Sequence, residues 1–369
     1  MPTTPSGRAR KTILRALVAI CLFGALASCG TVKYYTQAVS GQMEIWRKSH
    51  PIDQVLKKSD TKPKLRQRLE LVQQLRDFAT NHLHLPGGDT YHHYADLGRD
   101  YVVWVVYAAP EFDIEAKGWW YPIVGNLKYR GFFSEKDAKT LAAKLKAEDY
   151  DVLVGGVEAY STLGWFDDPV LNTFLRREEA DLAELLFHEL THIRLFIPGD
   201  TEFNEALATA VGQEGARRWL RSQKKMSDLT EYDDALKKDA EIIHMLTAKR
   251  PELQKLYEAN RKLPVEQQRG AKKAAMEAIK NDYLRIRAGW AGDSRYDKMF
   301  KVPMNNARLC TLSTYYDLVP AFEKLIRECK GDLDAFFARA ETFKRMDHAA
   351  RRKALGASPL ATSDTFRNE

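Results

Sequence analysis

The chain has 369 residues, of which 44% are hydrophobic and 29% are charged, so it has room for two or three structural units or one large domain with helical additions. This composition excludes a disordered tail, and the absence of a second apolar run of about twenty residues excludes a polytopic membrane protein. The net charge of +7 falls to +3 without the first 28 residues, since 53 basic and 50 acidic residues then remain. With no long basic block or nucleic-acid motif, we expect no nucleic-acid partner.

Residues 1–28 have the order of a secretory signal peptide, with a basic start, an apolar stretch and a small-residue site. The sequence Leu26-Ala27-Ser28-Cys29-Gly30 resembles a bacterial lipobox, in which the chain is cut before the cysteine and lipid is attached to its sulfur. Cys29 is then the membrane attachment, and Gly30 resembles proteins sorted to the periplasmic face of the outer membrane. The alternatives are an uncleaved anchor helix and an ordinary signal peptide.

The first two regions of the mature chain differ in pattern. Residues 29–90 are predicted to be helical up to a break at Pro86-Gly87-Gly88. Residues 91–175 are predicted to form a mixed α/β region, with β-branched and aromatic strands and an Ala, Lys and Leu-rich helix. The expected elements of this region are a strand at Tyr101–Ala109, a helix at Glu135–Glu148 and a strand at Tyr150–Thr162.

From residue 176 onward the apolar spacing predicts helices almost throughout. The expected helices are 176–196, 202–222, about 228–260, 265–288 and 316–345. We divide this part into a helix pair at 176–222, a helical region at 223–345 and a polar tail at 346–369.

The motif His188-Glu189-Leu190-Thr191-His192 lies near the end of the first of these helices. Imidazoles at positions i and i+4 fall on one face about a turn apart, which suits a tetrahedral zinc ion, and Glu189 lies where it can contact a metal-bound water. The alternative is a helix end whose two histidines hydrogen-bond to their neighbours.

A third metal ligand is expected from the next helix. The chain breaks at Pro198-Gly199, and the segment from His192 to Glu205 is long enough for one more turn, a reversal and one returning turn. Glu205 then faces the two imidazoles, and such a two-His, one-Glu set leaves a fourth position open for water. Glu202 and Asp200 are the rival ligands.

The chain resembles the zinc aminopeptidase family of bacterial lipoproteins, which is placed near the gluzincin metallopeptidases, over most of its mature length. The segments that carry the resemblance are Trp104–Phe112, Tyr129–Phe133, Ala159–Pro169, Phe187–His192, Gly199–Ala208 and Asn305–Phe322. The string from Asn204 to Ala208 is similar to the third-ligand helix of gluzincins. The resemblance implies aminopeptidase activity with one zinc ion, whereas the residues themselves support only a zinc hydrolase.

These observations together predict an α+β fold that is predominantly helical. A small mixed α/β region is expected to pack on a zinc-binding helix pair in a zincin-like arrangement, with additional helices toward the C-terminus.

In the expected mechanism the zinc-bound water attacks a peptide carbonyl, and Glu189 takes its proton and passes it to the leaving amine. The candidate donors to the oxyanion are Tyr315 and Tyr316, whose alternative role is in the core.

Substrate recognition requires a partner for the free amine and a surface for the peptide. The strand at Gly155–Ser161, which includes Tyr160, resembles the substrate-aligning edge strand of gluzincin aminopeptidases. Glu158 or Glu202 is the candidate partner of the substrate ammonium group. An edge strand also suits an endopeptidase, so the choice between the two activities stays open.

Two further functions compete with a peptidase. One is a non-catalytic zinc-binding envelope lipoprotein that binds an unidentified protein partner, and the other is a zinc carrier. A protein ligand in the fourth metal position would favour the first of these.

The remaining cysteines and histidines receive simpler interpretations. Cys310 and Cys329 either pair or stay as free thiols. Four histidines without ligand spacing are interpreted as loop and surface residues: His82, His84, His92 and His93.

Overall fold

The computed structural model describes residues 32–121, 125–159, 167–313 and 318–356, and this part of the chain is an α+β fold that is predominantly helical, as predicted. The helices are residues 32–48 (α1), Ile52–Lys57 (α2), Pro63–Leu83 (α3), Glu135–Ala147 (α4), Asn172–Leu175 (α5), Glu179–Arg194 (α6), Thr201–Ser222 (α7), Met226–Asn260 (α8), Val265–Ala288 (α9), Asp297–Lys301 (α10), Asn306–Ser313 (α11), Val319–Glu328 (α12), Leu333–Thr342 (α13) and His348–Ala354 (α14). The strands are Ser49–Pro51 (β1), His93–Ala95 (β2), Val103–Pro110 (β3), Trp119–Tyr121 (β4), Gly125–Leu127 (β5), Arg130–Phe132 (β6), Tyr150–Val157 (β7) and Val170–Leu171 (β8).

A three-stranded antiparallel sheet of order β6-β3-β7 forms the centre of the mixed region. Successive residues of a strand point to opposite faces. Val106 and Ala108 of β3 pack in one cluster with residues of α4, whereas Val103 and Val105 join a larger core with α6 and α7. One face of the sheet therefore packs with α4 and the other joins the core of α6 and α7, which agrees with the prediction that the mixed region packs on this helix pair.

Small residues allow helices α6 and α7 to pack closely. Ala206 and Ala210 of α7 are fully buried in the main core, and Gly215 lies directly against the ring of Phe187 from α6. A side chain at Gly215 would overlap that ring, because a Cβ atom there would lie 2.6 Å from the nearest ring carbon. The two backbones approach closely as a result.

The long helices α8 and α9 carry a second core. Its centre is the fully buried Tyr283, whose ring stacks on that of Phe300 at 4.0 Å between centroids. The predicted helix at 265–288 is confirmed, and the one predicted at about 228–260 extends over Met226–Asn260.

Three segments have a different secondary structure from the one predicted. The helix predicted within residues 29–90 is interrupted after α1 by the short strand β1, which pairs with β2 and ends at Pro51. The helix predicted at 316–345 divides into α12 and α13, since Lys330 and Gly331 adopt positive φ angles and Asp332 caps the next helix. Within the segment predicted as a polar tail, residues His348–Ala354 form α14, whose Arg351 and Arg352 are buried against α7.

Two smaller observations concern the remaining predictions. Cys310 and Cys329 are free thiols, and Cys310 is buried. Across the described ranges, every helix is too short or too polar to cross a membrane.

Candidate metal centre

Three potential ligands converge where α6 and α7 meet. The Nε2 atoms of His188 and His192 lie 3.1 Å apart, and the Glu205 carboxylate reaches them at 3.3 and 3.7 Å, respectively. Among the residues that the structure describes, these three form the one group of His, Cys, Asp and Glu that is suited to a metal ion, with all ligand atoms within 4.8 Å of one another.

The spacing of these atoms fits a tetrahedral zinc ion. Two ligands that each lie about 2.1 Å from one tetrahedral ion are separated by roughly 3.4 Å. The two imidazole nitrogens are 3.1 Å apart, and each lies 3.3 or 3.7 Å from a different oxygen of the Glu205 carboxylate, so the separations lie around this value. Two neutral imidazoles and one carboxylate are also a donor set that binds catalytic zinc.

The protonation states of the three groups favour cation binding. Burial, assisted by the charge of His188, lowers the pKa of His192 to about 4, so this ring is neutral at neutral pH. Burial tends to raise the pKa of Glu205, but the hydrogen bond from His188 and the charges of the two imidazoles outweigh it and keep this pKa below the usual range. For His188 burial is outweighed by the carboxylates of Glu205, Glu189 and Glu184, which raise its pKa. A cation bound here would take the place of the proton that these carboxylates favour on His188.

A partly buried carboxylate lies one turn before His188 on α6. Glu184 accepts a hydrogen bond of 2.6 Å from the hydroxyl of Tyr232 on α8, and burial raises its pKa. Gly212 of α7 makes this packing possible, because a Cβ atom there would lie 2.8 Å from the carbonyl oxygen of Glu184.

The loop between α6 and α7 is fixed by the residue that precedes Glu205. The side chain of buried Asn204 donates to the carbonyl of Ile197 and accepts from its N–H, both at 2.8 Å. Asp200 caps α7 by accepting from the N–H of Phe203. These contacts set the start of α7 and hence the position of Glu205, one turn later.

Helix α14 contacts the first turn of α7 through two arginines. Arg351 donates to Asp200 at 2.7 Å, and Arg352 is paired with Glu202. Both arginines are only 8% exposed. The carboxylates of the rival ligands Asp200 and Glu202 are therefore engaged by arginine, whereas Glu205 faces the histidines.

The other predicted site residues occupy different surroundings. Glu189 follows His188 on α6 and interacts electrostatically with it. Glu158 follows the edge strand β7, and its carboxylate accepts from Arg176 and Arg177 at 3.0 and 2.9 Å. The arginine contacts of Glu158 and Glu202 compete with the predicted binding of a substrate ammonium group. Four predicted residues lie outside the described part: Cys29, Tyr160, Tyr315 and Tyr316.

Two tyrosines near the site were not predicted from the sequence. Tyr107 of β3 and Tyr129, just before β6, have ring centroids 5.6 Å apart and pack against the main core. Burial and the charge of Glu205 raise the pKa of Tyr107 to about 12. Burial, Tyr107, Glu205 and Glu189 raise the pKa of Tyr129, so both phenols stay protonated. Their one sequence signal is that both lie in segments that carry the family resemblance.

One comparison with known proteins agrees with that resemblance. A family model described as "Putative aminopeptidase" matches residues 33–355 and thus spans the site and nearly the whole described chain. A search of curated proteins and one of solved structures found no match. The name of the family suggests peptidase activity. Because the match extends over most of its residues, the chain belongs to this aminopeptidase family.

Proposed function

We propose that the protein is a zinc-dependent peptidase, acting as an aminopeptidase, with one zinc ion held by His188, His192 and Glu205. The observation that carries this proposal is the convergence of these three ligand atoms within 4.8 Å of one another. The family name supports the peptidase activity.

When bound, a zinc ion supplies Lewis acidity, which acidifies a water molecule and polarises a carbonyl group. Glu189, beside the ligands on α6, accepts the proton of the attacking water and delivers it to the leaving amine. His188 and His192 offer neutral imidazole nitrogens, and the carboxylate of Glu205 balances part of the charge.

Tyr129 and Tyr107 are the best-supported donors to the oxyanion of the reaction. The charge of Glu205 raises the pKa of both phenols, and the charge of Glu189 also raises that of Tyr129. Their raised pKa values keep the O–H proton available for donation. The earlier candidates Tyr315 and Tyr316 stay a prediction, as does a role of Tyr160 on the substrate strand.

The edge position of β7 supports binding of an extended peptide. In the described sheet, β7 pairs with β3 on one side only, and the side chain of Asn305 donates to the backbone carbonyl of Val152 at 3.2 Å. The remaining part of the strand, toward Val157, is the part proposed to accept a peptide strand through backbone hydrogen bonds. Peptides are therefore the proposed substrates, with their side-chain preference set by residues around this edge.

The lipid-attachment sequence supports a periplasmic location. We propose that Cys29 carries lipid and tethers the enzyme to the periplasmic face of the outer membrane. The zincin-like arrangement of the fold is part of the same proposal.

Two substitutions test the metal site and the base. In the unlipidated mature chain, we expect one zinc per chain by inductively coupled plasma mass spectrometry. Glu205→Ala should lose most of this zinc, whereas Glu189→Gln should keep it and lose about 10²- to 10⁴-fold in peptide hydrolysis. Glu231→Gln, which removes an exposed carboxylate on α8, is the matched control.

The substrates separate the competing functions. Peptides with free and with acetylated N-termini distinguish an aminopeptidase from an endopeptidase, because the former requires the free amine. Full activity of Glu189→Gln would overturn the proposed base. Zinc binding without hydrolysis of any peptide would instead favour the non-catalytic zinc-binding lipoprotein.

A further inference from the structure

Helix α1 presents a continuous row of large apolar side chains to solvent. The exposed fractions are 57% for Val32, 41% for Tyr35, 63% for Val39, 54% for Met43 and 41% for Trp46. Their spacing of three and four residues places them on one face of the helix, and we refer to these five residues as the α1 stripe. The row extends over nearly the whole helix, about 21 Å from Val32 to Trp46 at 1.5 Å per residue.

The opposite face of α1 is fixed to the body of the protein. Gln37 accepts from the N–H of Phe133 at 2.9 Å, and Gly41 lies against the Phe133 ring so closely that a Cβ atom would overlap it. Ile45 is 2% exposed, and the guanidinium of Arg130 lies 4.1 Å from the ring centroid of Tyr34. Because these contacts set the rotation of the helix, the stripe stays on the outside.

The row is unusual on this surface. The other exposed large apolar residues of the described chain are scattered or in small groups: Trp120, Met226, Leu263, Val265, Leu284, Val302 and Met346. Single exposed apolar residues are normal on soluble proteins, whereas a contiguous apolar patch marks a surface that another body covers. The stripe is therefore a candidate contact surface.

Its position and charge identify the kind of partner. Val32 is three residues from Cys29, so a lipid on that cysteine would bring the first turn of α1 to the membrane surface. None of the nine exposed residues of α1 is acidic, and two are basic: Arg47, and Lys33, whose ammonium group pairs with Asp137 of α4 at 2.9 Å. Basic residues beside an apolar face with tyrosine and tryptophan are typical of helices that lie in the plane of a membrane interface.

A neighbouring hairpin adds one more exposed aromatic residue at the same end of α1. The hydroxyl of Tyr34 donates to that of Tyr121 at 3.3 Å, which holds the β4–β5 hairpin next to the first turn of the helix. Trp120, the residue before Tyr121, is 73% exposed.

We propose that the α1 stripe binds the lipid surface, so that α1 lies along the membrane and orients the enzyme on it. This goes beyond the proposed peptidase activity, and it does not depend on the metal site. The lipid on Cys29 would supply attachment, and the stripe would fix which side of the molecule faces the bilayer.

The test is vesicle binding by the mature chain with Cys29→Ser, which removes the lipid and retains every described residue. We expect co-sedimentation with vesicles of phosphatidylethanolamine and phosphatidylglycerol. The double variant Val39→Glu/Met43→Glu should lower the partition coefficient by at least about tenfold, because it places charge in the centre of the apolar face. The matched control Leu263→Glu/Val265→Glu makes a like change at exposed apolar residues away from α1 and should bind like the parent.

Several outcomes would overturn the proposal. It fails if the parent chain does not bind vesicles, or if both double variants bind equally well. Light scattering is measured in parallel. A parent dimer that the stripe variant converts to monomers would make the stripe an interface between two copies. Peptide hydrolysis by all three proteins should be equal in the absence of vesicles, which separates this result from the test of the metal site.

Discussion

His192 and His188 have opposite electrostatic environments although they lie one turn apart on the same helix. His192 is 4% exposed and cannot hold a proton at neutral pH, whereas His188 is stabilised in its protonated form by three carboxylates. A divalent cation satisfies both rings at once, because it accepts lone pairs from the two imidazoles and neutralises the acidic groups. This local charge balance favours a metal over a simple hydrogen-bonded pair.

Replacement of Tyr129 by Phe tests the proposed oxyanion donor. If the phenol donates in the transition state, Tyr129→Phe should lower kcat by about 10²- to 10³-fold with little change in zinc content. Tyr107→Phe is the comparison, since the two rings lie 5.6 Å apart near Glu205. Steady-state kinetics together with metal analysis distinguish the outcomes. Undiminished kcat in both variants would return the role to Tyr315 and Tyr316.

At the level of secondary structure, the candidate site depends on the close approach of helices α6 and α7. Gly212 touches the backbone of α6 at Glu184, and a Cβ atom there would also lie 3.3 Å from the Cβ of His188. An added methyl group cannot be accommodated by a flexible side chain, because the nearest atoms belong to the backbone and to a ligand residue.

Gly212→Ala should therefore weaken zinc binding by displacing one ligand helix relative to the other. We expect a lower zinc affinity in competition with a chelator, and a lower free energy of unfolding by about 1–3 kcal/mol. Gly270→Ala in α9 is the matched control, because no atom lies within 4 Å of its added Cβ. That control should be neutral or slightly stabilising through helix propensity. Equal effects of the two substitutions would contradict the packing argument.

Helix α14 contacts the start of α7, although Arg351 and Asp200 are 151 residues apart in sequence. The Arg351–Asp200 pair is nearly inaccessible, with side-chain exposures of 9% and 3%. Removal of one partner of such a buried pair leaves an uncompensated charge and costs about 3–5 kcal/mol. The consequence falls on the first turn of α7, which Asp200 caps.

Arg351→Met should lower both the free energy of unfolding and the zinc affinity. Lys353→Met is the control, since it removes an exposed cation from the same helix. Arg351→Lys, which keeps the charge, should recover part of the loss and serves if the first variant does not fold. Unchanged zinc affinity in a folded Arg351→Met protein would limit α14 to a structural role.

At the level of the whole molecule, the proposed metal site joins two helices that run through the main hydrophobic core. Ligands that bind only the native state stabilise it by about 2.7 kcal/mol at a hundredfold excess over Kd. We therefore expect a chelator to lower the Tm of the parent protein by several degrees in calorimetry. The Glu205→Ala variant should show no such shift, and an equal shift in that variant would place the stabilising metal elsewhere.

The helical character, the mixed region and the pair of helices that carry the candidate metal ligands all follow from local patterns in the sequence. Amphipathic spacing is a local property, and His188, Glu189 and His192 lie within one helical segment, so their relative positions follow from helix geometry. The position of Glu205 beside the two histidines was predictable as well, because a short loop restricts where the next helix can return.

Contacts between segments that are distant in sequence become visible only in the folded chain. The electrostatic effect of Glu205 on Tyr107 and Tyr129 depends on how the sheet packs on α6 and α7, and the arginines of α14 contact Asp200 and Glu202 although they lie about 150 residues further along the chain. Likewise, apolar spacing in α1 does not reveal which face is covered until Gln37, Gly41 and Ile45 dock on their neighbours. Such long-range contacts arise from burial and charge pairing in three dimensions, which no local pattern of residues specifies.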